Sequence, residues 1–194
     1  DKNLGFAGGN NVGYSYTTKE LLFFVNPDTR IQANFFEPIL DYFNAYENIG
    51  LLSPRIMYNE GDRIVQYAGT TAMNRINLRT STHGIGQTMH DDYLRISPTY
   101  FGHGAAMFLR RSVIESVGLM NEDYFLYYEE LDWCERIRRQ GFQVIYFGPV
   151  EITHLESISV GKESPLKTYY MSRNRLYFAR LHFSLLFVFL NFMY

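Results

Sequence analysis

The sequence predicts an α/β domain with an inserted hairpin, and three features carry that reading. The unbroken apolar run LLFFV at residues 21–25 has the length and composition of a buried strand. Strand-like and helix-like patterns then alternate along the chain. The stretch YYEELDWCERIRRQG, about 128–140, reads as a helix ordered by charge. Glu129, Glu130 and Asp132 crowd its first turns and Arg136, Arg138 and Arg139 its last, which complements the helix dipole, and Gly141 stops it.

Taken in order, residues 5–13 are rich in glycine and read as turns, with Asn10 or Asn11 placed to cap a short helix. After the first strand, residues 30–47 carry Ile31, Phe35, Ile39, Leu40, Phe43 and Tyr46 at helical spacing. The segments IGLLSPRIMY and RIVQYAG flank Asn59-Glu60-Gly61-Asp62, a hairpin turn by composition. Residues 70–97 are polar and fit neither period, as expected of a mobile excursion. GAAMFLR is a strand, RSVIESVG a short helix ending at Gly118, and FQVIYF a further strand. A last helix starts near Pro165 and runs into the apolar tail LHFSLLFVFLNFMY. No repeat, charge run or linker divides the chain, so residues 1–182 read as one domain followed by an apolar tail, 183–194. The apolar stretch is shorter than the ~20 residues that span a bilayer. It reads either as a terminal helix packed on the domain or as the start of a membrane-associated helix.

Composition narrows the function. Apolar residues make up 46% and charged residues 20% of the 194, which is globular and not disordered. With a formal net charge of −2 there is no broad electrostatic footprint for nucleic acid, so nucleic acid is not an expected partner. Cys134 is the single cysteine, which excludes an intrachain disulfide. Tyr and Phe number 16 each, which suits a stacked interior or a surface that handles bases and sugars. The glycines at 5, 8, 9 and 13 do not fit a dinucleotide-binding fingerprint, and no phosphate-binding loop, H-E-x-x-H, paired C-x-x-C or G-x-S-x-G occurs.

Four places carry candidate chemistry. Asp28 follows a strand and Pro27, where an open α/β sheet presents ligands, so it reads as a ligand for a hard cation or as a turn residue capping the next helix. Glu129 and Glu130 start a helix behind the aromatic run DYFLYY. They read as a solvated pair favoured by the dipole, or as carboxylates whose apolar wall suits one of them to proton abstraction. Their helical spacing separates them by about 100°, so one alone faces a cleft. His154 in EITHLES is a core or surface histidine unless it meets Asp28 in space. Arg173 and Arg175 reach phosphates or solvate a helix face.

The order of these segments is more informative than any one of them. NLGFAGGNNVG, LLFFVNPDT, GHGAAMFLRRSVIESVGLMNEDYFLYYEELDWCERIRRQG, THLES and YYMSRNRLYFAR together resemble the family 2 glycosyltransferases, with most similarity to a rhamnosyltransferase-like branch. The resemblance covers most of the chain except residues 70–97. It implies a GT-A fold, a mainly parallel sheet between helices, binding a nucleoside-diphosphate sugar donor and a glycan or lipid-linked acceptor. It implies inverting transfer with Mg²⁺ or Mn²⁺, at the cytoplasmic side and the inner face of the plasma membrane. Asp28 matches the family's metal-binding acid, with Asn26 in place of the motif's first acid. Glu130 matches the catalytic base, although it is Glu where the family has Asp, and Glu129 stays its rival. His154 matches a late histidine that contacts metal or diphosphate. Asn11, Asn26, Gly104 and Arg173 fall at substrate-binding positions, and Arg173-Asn174 matches a recurrent pair of unassigned role. Relatives carry a first βαβ segment ahead of NLGFAGGNN, so the chain is expected to be a fragment. The alternative reading is a non-catalytic nucleotide-sugar-binding module.

Overall fold

The computed structural model describes residues 2–59, 62–155 and 164–193. Helix α1 spans Gly5–Ser15, where the sequence predicts turns. Its glycines give it a low intrinsic propensity, and it is held from outside: the Asn3 side chain accepts from Gly5 N, and the Asn11 amide grips Met120 and Glu122. Strand β1 is Leu21–Val25. It is two-faced and not wholly buried. Leu22 and Phe24 face the side of Trp133, while Phe23 stacks on Phe108 at 4.1 Å on the other side. The chain then forms a three-residue strand, β2 (Thr29–Ile31), and helix α2 starts at Phe36, running to Ala45. The predicted helix over 30–47 therefore begins six residues late, because Thr29–Ile31 pairs with a distant strand instead.

Strand β3 (Ile49–Tyr58) is the sheet's buried centre and pairs with β4 (Val65–Tyr67) as the expected hairpin. Glu60 and Gly61 of its turn lie outside the described residues. Residues 70–97 form a folded excursion: bridges at Thr70–Thr82 and Asn74–Arg79 close it, Met73 and Leu78 are buried, and β5 (Ile96–Pro98) ends it. Strand β6 (Ala106–Arg110) leads into α3 (Arg111–Val117), which ends at Gly118 with φ 82°. Helix α4 is Glu129–Arg139. Strand β7 (Gln143–His154) is twice as long as the predicted FQVIYF and carries His154 at its end. Helix α5 (Pro165–His182) is capped by Ser164, whose hydroxyl accepts from Lys167 N, and α6 is Leu185–Met193.

The strand order is β1-β6-β3-β7-β2, with β4 on β3 and β5 on β7. Among the described strands β3–β7 is the one parallel pair. The expected mainly parallel sheet is thus mixed. The reason is that β1 and β3 both take β6 as an antiparallel neighbour, while β2, β4 and β5 run back along the central pair. Helices cover both faces. Phe35, Ile39 and Phe43 of the α2 side pack on one, and Val113, Ile114, Trp133 and Ile137 of α3 and α4 on the other.

The tail is neither free nor fully packed. Asn191 donates to Ile76 O, and Phe183 and Val188 join a cluster with Phe178, while Leu185, Leu186 and Phe189 are exposed. No described helix is long and apolar enough to cross a membrane.

Candidate active site

The first half of the site is built where β1 ends. Asn26 N donates to Ala105 O, which holds the chain to β6 for one more residue, and Thr29 pairs with His154 across β2–β7. This brings Asp28 Oδ1 to 3.2 Å from His154 Nε2. Helix α2 starts at Phe36, too far away for Asp28 to cap it, and Asp28 lies instead in the turn between β1 and β2. The second nitrogen, His154 Nδ1, lies 3.0 Å from Gln66 Oε1, and Asn26 Nδ2 lies 3.3 Å from Nε2. An amide oxygen only accepts and an amide nitrogen only donates. A protonated ring would form an ion pair with Asp28; in the neutral ring these amide partners put the proton on Nδ1 and the lone pair on Nε2, facing a carboxylate oxygen that is itself buried and accepts no hydrogen bond among the described residues. Two acceptors at that distance repel, and a cation between them removes the repulsion. A hard divalent ion takes carboxylate oxygen and neutral imidazole, so these residues fit one. No group of three or more His, Cys, Asp or Glu converges among the described residues, so further ligands would be substrate or water oxygens.

The second half is the start of α4. The chain enters it through three aromatic residues at positive φ, Phe125 (64°), Tyr127 (67°) and Tyr128 (78°). Backbone held this way is costly and persists only where its surroundings enforce it. Phe6 N donates to Phe125 O at 2.9 Å, and the main side chain holding the segment is Asn174 on α5. Fully buried, its amide donates to Tyr124 O, Leu126 O and Tyr127 O at 3.0, 2.8 and 2.8 Å. Arg173 donates to Asp123 O and to Asn174 Oδ1, both at 2.8 Å.

This turn separates the two acids. Glu130 lines a cavity of about 600 Å³, together with Met73, Leu78, Phe101, His103, Tyr127 and Tyr128. Glu129 is buried, and its Oε2 has no hydrogen-bond partner among the described residues. Burial raises both carboxyls, and in Glu129 the neighbouring Glu130 charge adds to a rise to about 8. The cost of ionising Glu129 in place appears in stability. Its contribution is complete below its ordinary value of 4.5 and is lost as pH rises through about 8. Glu129→Gln removes that loss. Thermal unfolding is expected to show the variant well above the wild type at pH 8.5 and level with it at pH 4. A constant difference across that range would remove the buried charge as its cause.

His103 connects the halves. It lines the Glu130 cavity, and its ring packs edge-on against His154 at 6.0 Å between centroids. Of the other expected positions, Asn26 orients His154. Gly104 lies against Phe6, whose ring would be 3.1 Å from an added Cβ. Asn11 and Arg173 are engaged with the protein's own groups, and Arg175 lines the cavity. Sequence reasoning missed His103 and Gln66, which have no motif around them. Asp132 has two close partners. Arg136 Nε is there at 2.8 Å, and His182 Nε2 is closer, at 2.6 Å. Cys134 is a buried thiol beside Gly102 N, as a structural residue should be.

The sequence profile described as Glycosyl transferase family 2 matches residues 1–118. The chain belongs to this family. It is 30% identical over 182 residues to the low-salt glycan biosynthesis hexosyltransferase Agl10 of Haloferax volcanii, covering 89% of this chain and 56% of that one. It is 25% identical over 185 residues to the dTDP-rhamnosyl transferase RfbF of Shigella flexneri, covering 89% and 59%. The family 2 chain thus spans under two thirds of the length of these relatives. Among solved structures, GalNAc-T7 with UDP, GalNAc and Mn²⁺ matches at a TM-score of 0.62 and 13% identity, over 90% of this chain and 38% of that one. That likeness establishes the shared GT-A fold.

Proposed function

We propose that this family 2 chain carries the reaction centre of an inverting, divalent-cation-dependent glycosyltransferase. It would move a hexose-type sugar, rhamnose among the candidates, from a nucleoside diphosphate to a hydroxyl of a glycan or lipid-linked acceptor. One observation carries the reading. His103 packs against His154 of the Asp28–His154 contact and lines the same cavity as Glu130.

Asp28 and His154 would hold Mg²⁺ or Mn²⁺, which supplies positive charge against the departing diphosphate. The chain's own groups account for the rest. Gln66 fixes the His154 ring and its tautomer from Nδ1, as the outer partner of a metal-binding histidine does, and the Asn26 amide would give up Nε2 to the cation. Glu130 takes the proton from the acceptor hydroxyl. That oxygen bonds to the anomeric carbon as the carbon–oxygen bond to the diphosphate breaks, and the electron pair leaves on the phosphate oxygen. Attack from the opposite face inverts the centre and needs no covalent sugar–enzyme intermediate. The apolar cavity wall, with Arg79, Lys167 and Arg175 also lining it, suits an acceptor that combines sugar, anionic and apolar parts. Exposed Leu185, Leu186 and Phe189 on α6 support work at a membrane surface; the cytoplasmic side is what the family resemblance implies.

The test is transfer from a panel of nucleoside-diphosphate sugars, in the longest natural chain that contains these residues, with and without Mn²⁺. Product that requires the metal is expected. Tight donor binding with neither transfer nor hydrolysis would point to a binding module. In the same protein, Asp28→Asn is expected to weaken Mn²⁺-dependent binding of nucleoside diphosphate by roughly 10–100-fold in calorimetry. Unchanged metal-dependent affinity would remove Asp28 from that role.

A further inference from the structure

The imidazole of His103 has no assigned part in the reaction above, yet its hydrogen-bonding state is fixed. His103 Nδ1 accepts from Ala105 N at 3.1 Å, so in the neutral ring the proton is on Nε2. The backbone fixes the residue further, with His103 N donating to Ser53 Oγ at 3.2 Å and Ala106 N donating to His103 O at 3.0 Å. The ring is packed against Tyr67, 5.5 Å between centroids, and against His154. Three restraints on one small ring leave it little freedom to rotate. Among the described residues nothing accepts from Nε2, and His103 is not among the groups closed off from solvent without a partner. It lines the same cavity as Glu130. The result is an oriented N–H donor, held rigid, with its acceptor position open to the cavity.

We infer that His103 is a specificity-determining residue whose Nε2–H donates a hydrogen bond to an oxygen of the sugar being transferred. The inference rests on the sugar-transfer reading given above. The location selects the sugar over the other ligand parts. The diphosphate belongs beside Asp28 and His154, and the acceptor hydroxyl belongs at Glu130. The transferred ring must lie between them, where His103 stands. A donor that pairs with a substrate hydroxyl in a site that excludes water discriminates against sugars lacking that hydroxyl, because it is then left unpaired. The sequence around it, GHGA, places glycines on both sides of His103. An added Cβ at Gly102 would sit 2.4 Å from Leu51 Cδ2, so the backbone here is drawn tight against β3. The donor is therefore on a rigid support.

Three proteins test it: wild type, His103→Phe, which keeps a packed ring without the N–H, and His103→Gln, which returns an amide N–H to nearly the same point. The expected result is a roughly 10–100-fold lower kcat/KM for transfer in His103→Phe and recovery to within a few-fold in His103→Gln. Affinity for the nucleoside diphosphate alone, with Mn²⁺, should be unchanged in both. Donors deoxygenated one position at a time should identify the oxygen: one of them loses the same factor in the wild type and nothing more in His103→Phe. Should His103→Phe not fold, His103→Asn takes its place, since its amide is too short to reach and loses the same factor. Full kcat/KM in a folded donor-less variant overturns the inference. So does an equal loss of nucleoside-diphosphate affinity, which would mark His103 as support for His154 only. Absence of transfer in the wild type with every donor overturns the sugar-transfer reading itself, and this inference with it.

Discussion

Glu130→Gln is expected to lower transfer by roughly 10²–10⁴-fold, the usual worth of a positioned general base. The change is nearly isosteric and removes the capacity to take a proton at one point. Glu130 is the acid of the pair that lines the cavity, whereas Glu129 lies buried behind it. Burial also raises the Glu130 carboxyl above its ordinary value, which makes its anion a stronger base. The base works only when ionised, so wild-type turnover should rise with pH through an apparent pKa above the ordinary carboxylate range and fall away below it. Glu130→Gln should show a low, flat profile over that interval. Nucleoside-diphosphate affinity should be close to wild type, and so should the melting temperature at pH 4, where both carboxyls are protonated, which separates lost chemistry from lost structure. Steady-state transfer measured against pH checks both parts. Wild-type rates in the variant would assign the proton elsewhere, with Glu129 the first candidate.

Asn174→Ala is expected to cost about 3 kcal/mol of stability, one ordinary increment for each of its two amide protons and one for the bond its Oδ1 accepts from Arg173. In a chain of this size that is roughly 6–12 °C in melting temperature. The carbonyls that lose its amide are those of Tyr124, Leu126 and Tyr127, in the segment with positive φ that aims Glu130. With the buckle gone, Phe125, Tyr127 and Tyr128 can relax to ordinary backbone, and the start of α4 turns with them. Transfer should therefore fall well beyond the loss of folded protein, with kcat affected more than the KM for donor. Unfolding curves and kinetics at a temperature where both proteins are fully folded make the comparison. An Asn174→Ala protein that melts lower yet turns over normally would show that α4 holds its position without α5. Arg173 is part of the same buckle, a role distinct from the substrate contact expected for that position.

What was legible in the sequence is what local chemistry decides. Strand β1 is visible in its apolar run, its end in Asn26-Pro27, and the charge-ordered helix α4 in its two clusters of opposite sign. The placement of Asp28 at the sheet's edge follows from those signals. Its meeting with His154 does not, because it depends on the three-residue pairing of Thr29–Ile31 with the far end of β7. A strand that short has no period to read. Helix α1 was hidden by its glycines and is kept helical by partners more than a hundred residues away, at Met120 and Glu122. The aromatic run before Glu129 hides its geometry for a related reason. Tyr and Phe rarely adopt positive φ, and the side chain that enforces it here comes from α5. His103 and Gln66 are single polar residues in strands or loops, and only the folded topology gives each a partner.

The central claim is that one cation site, made by Asp28 and His154, serves the same substrate as Glu130. The most direct measurement is an anomalous difference map from crystals of the protein grown with Mn²⁺ and a nucleoside diphosphate. A single strong peak within bonding distance of Asp28 Oδ1 and His154 Nε2, with diphosphate oxygens completing its shell on the side of His103, is the expected result. A manganese peak bound elsewhere, with Asp28 and His154 still in mutual contact at 3.2 Å, would contradict it.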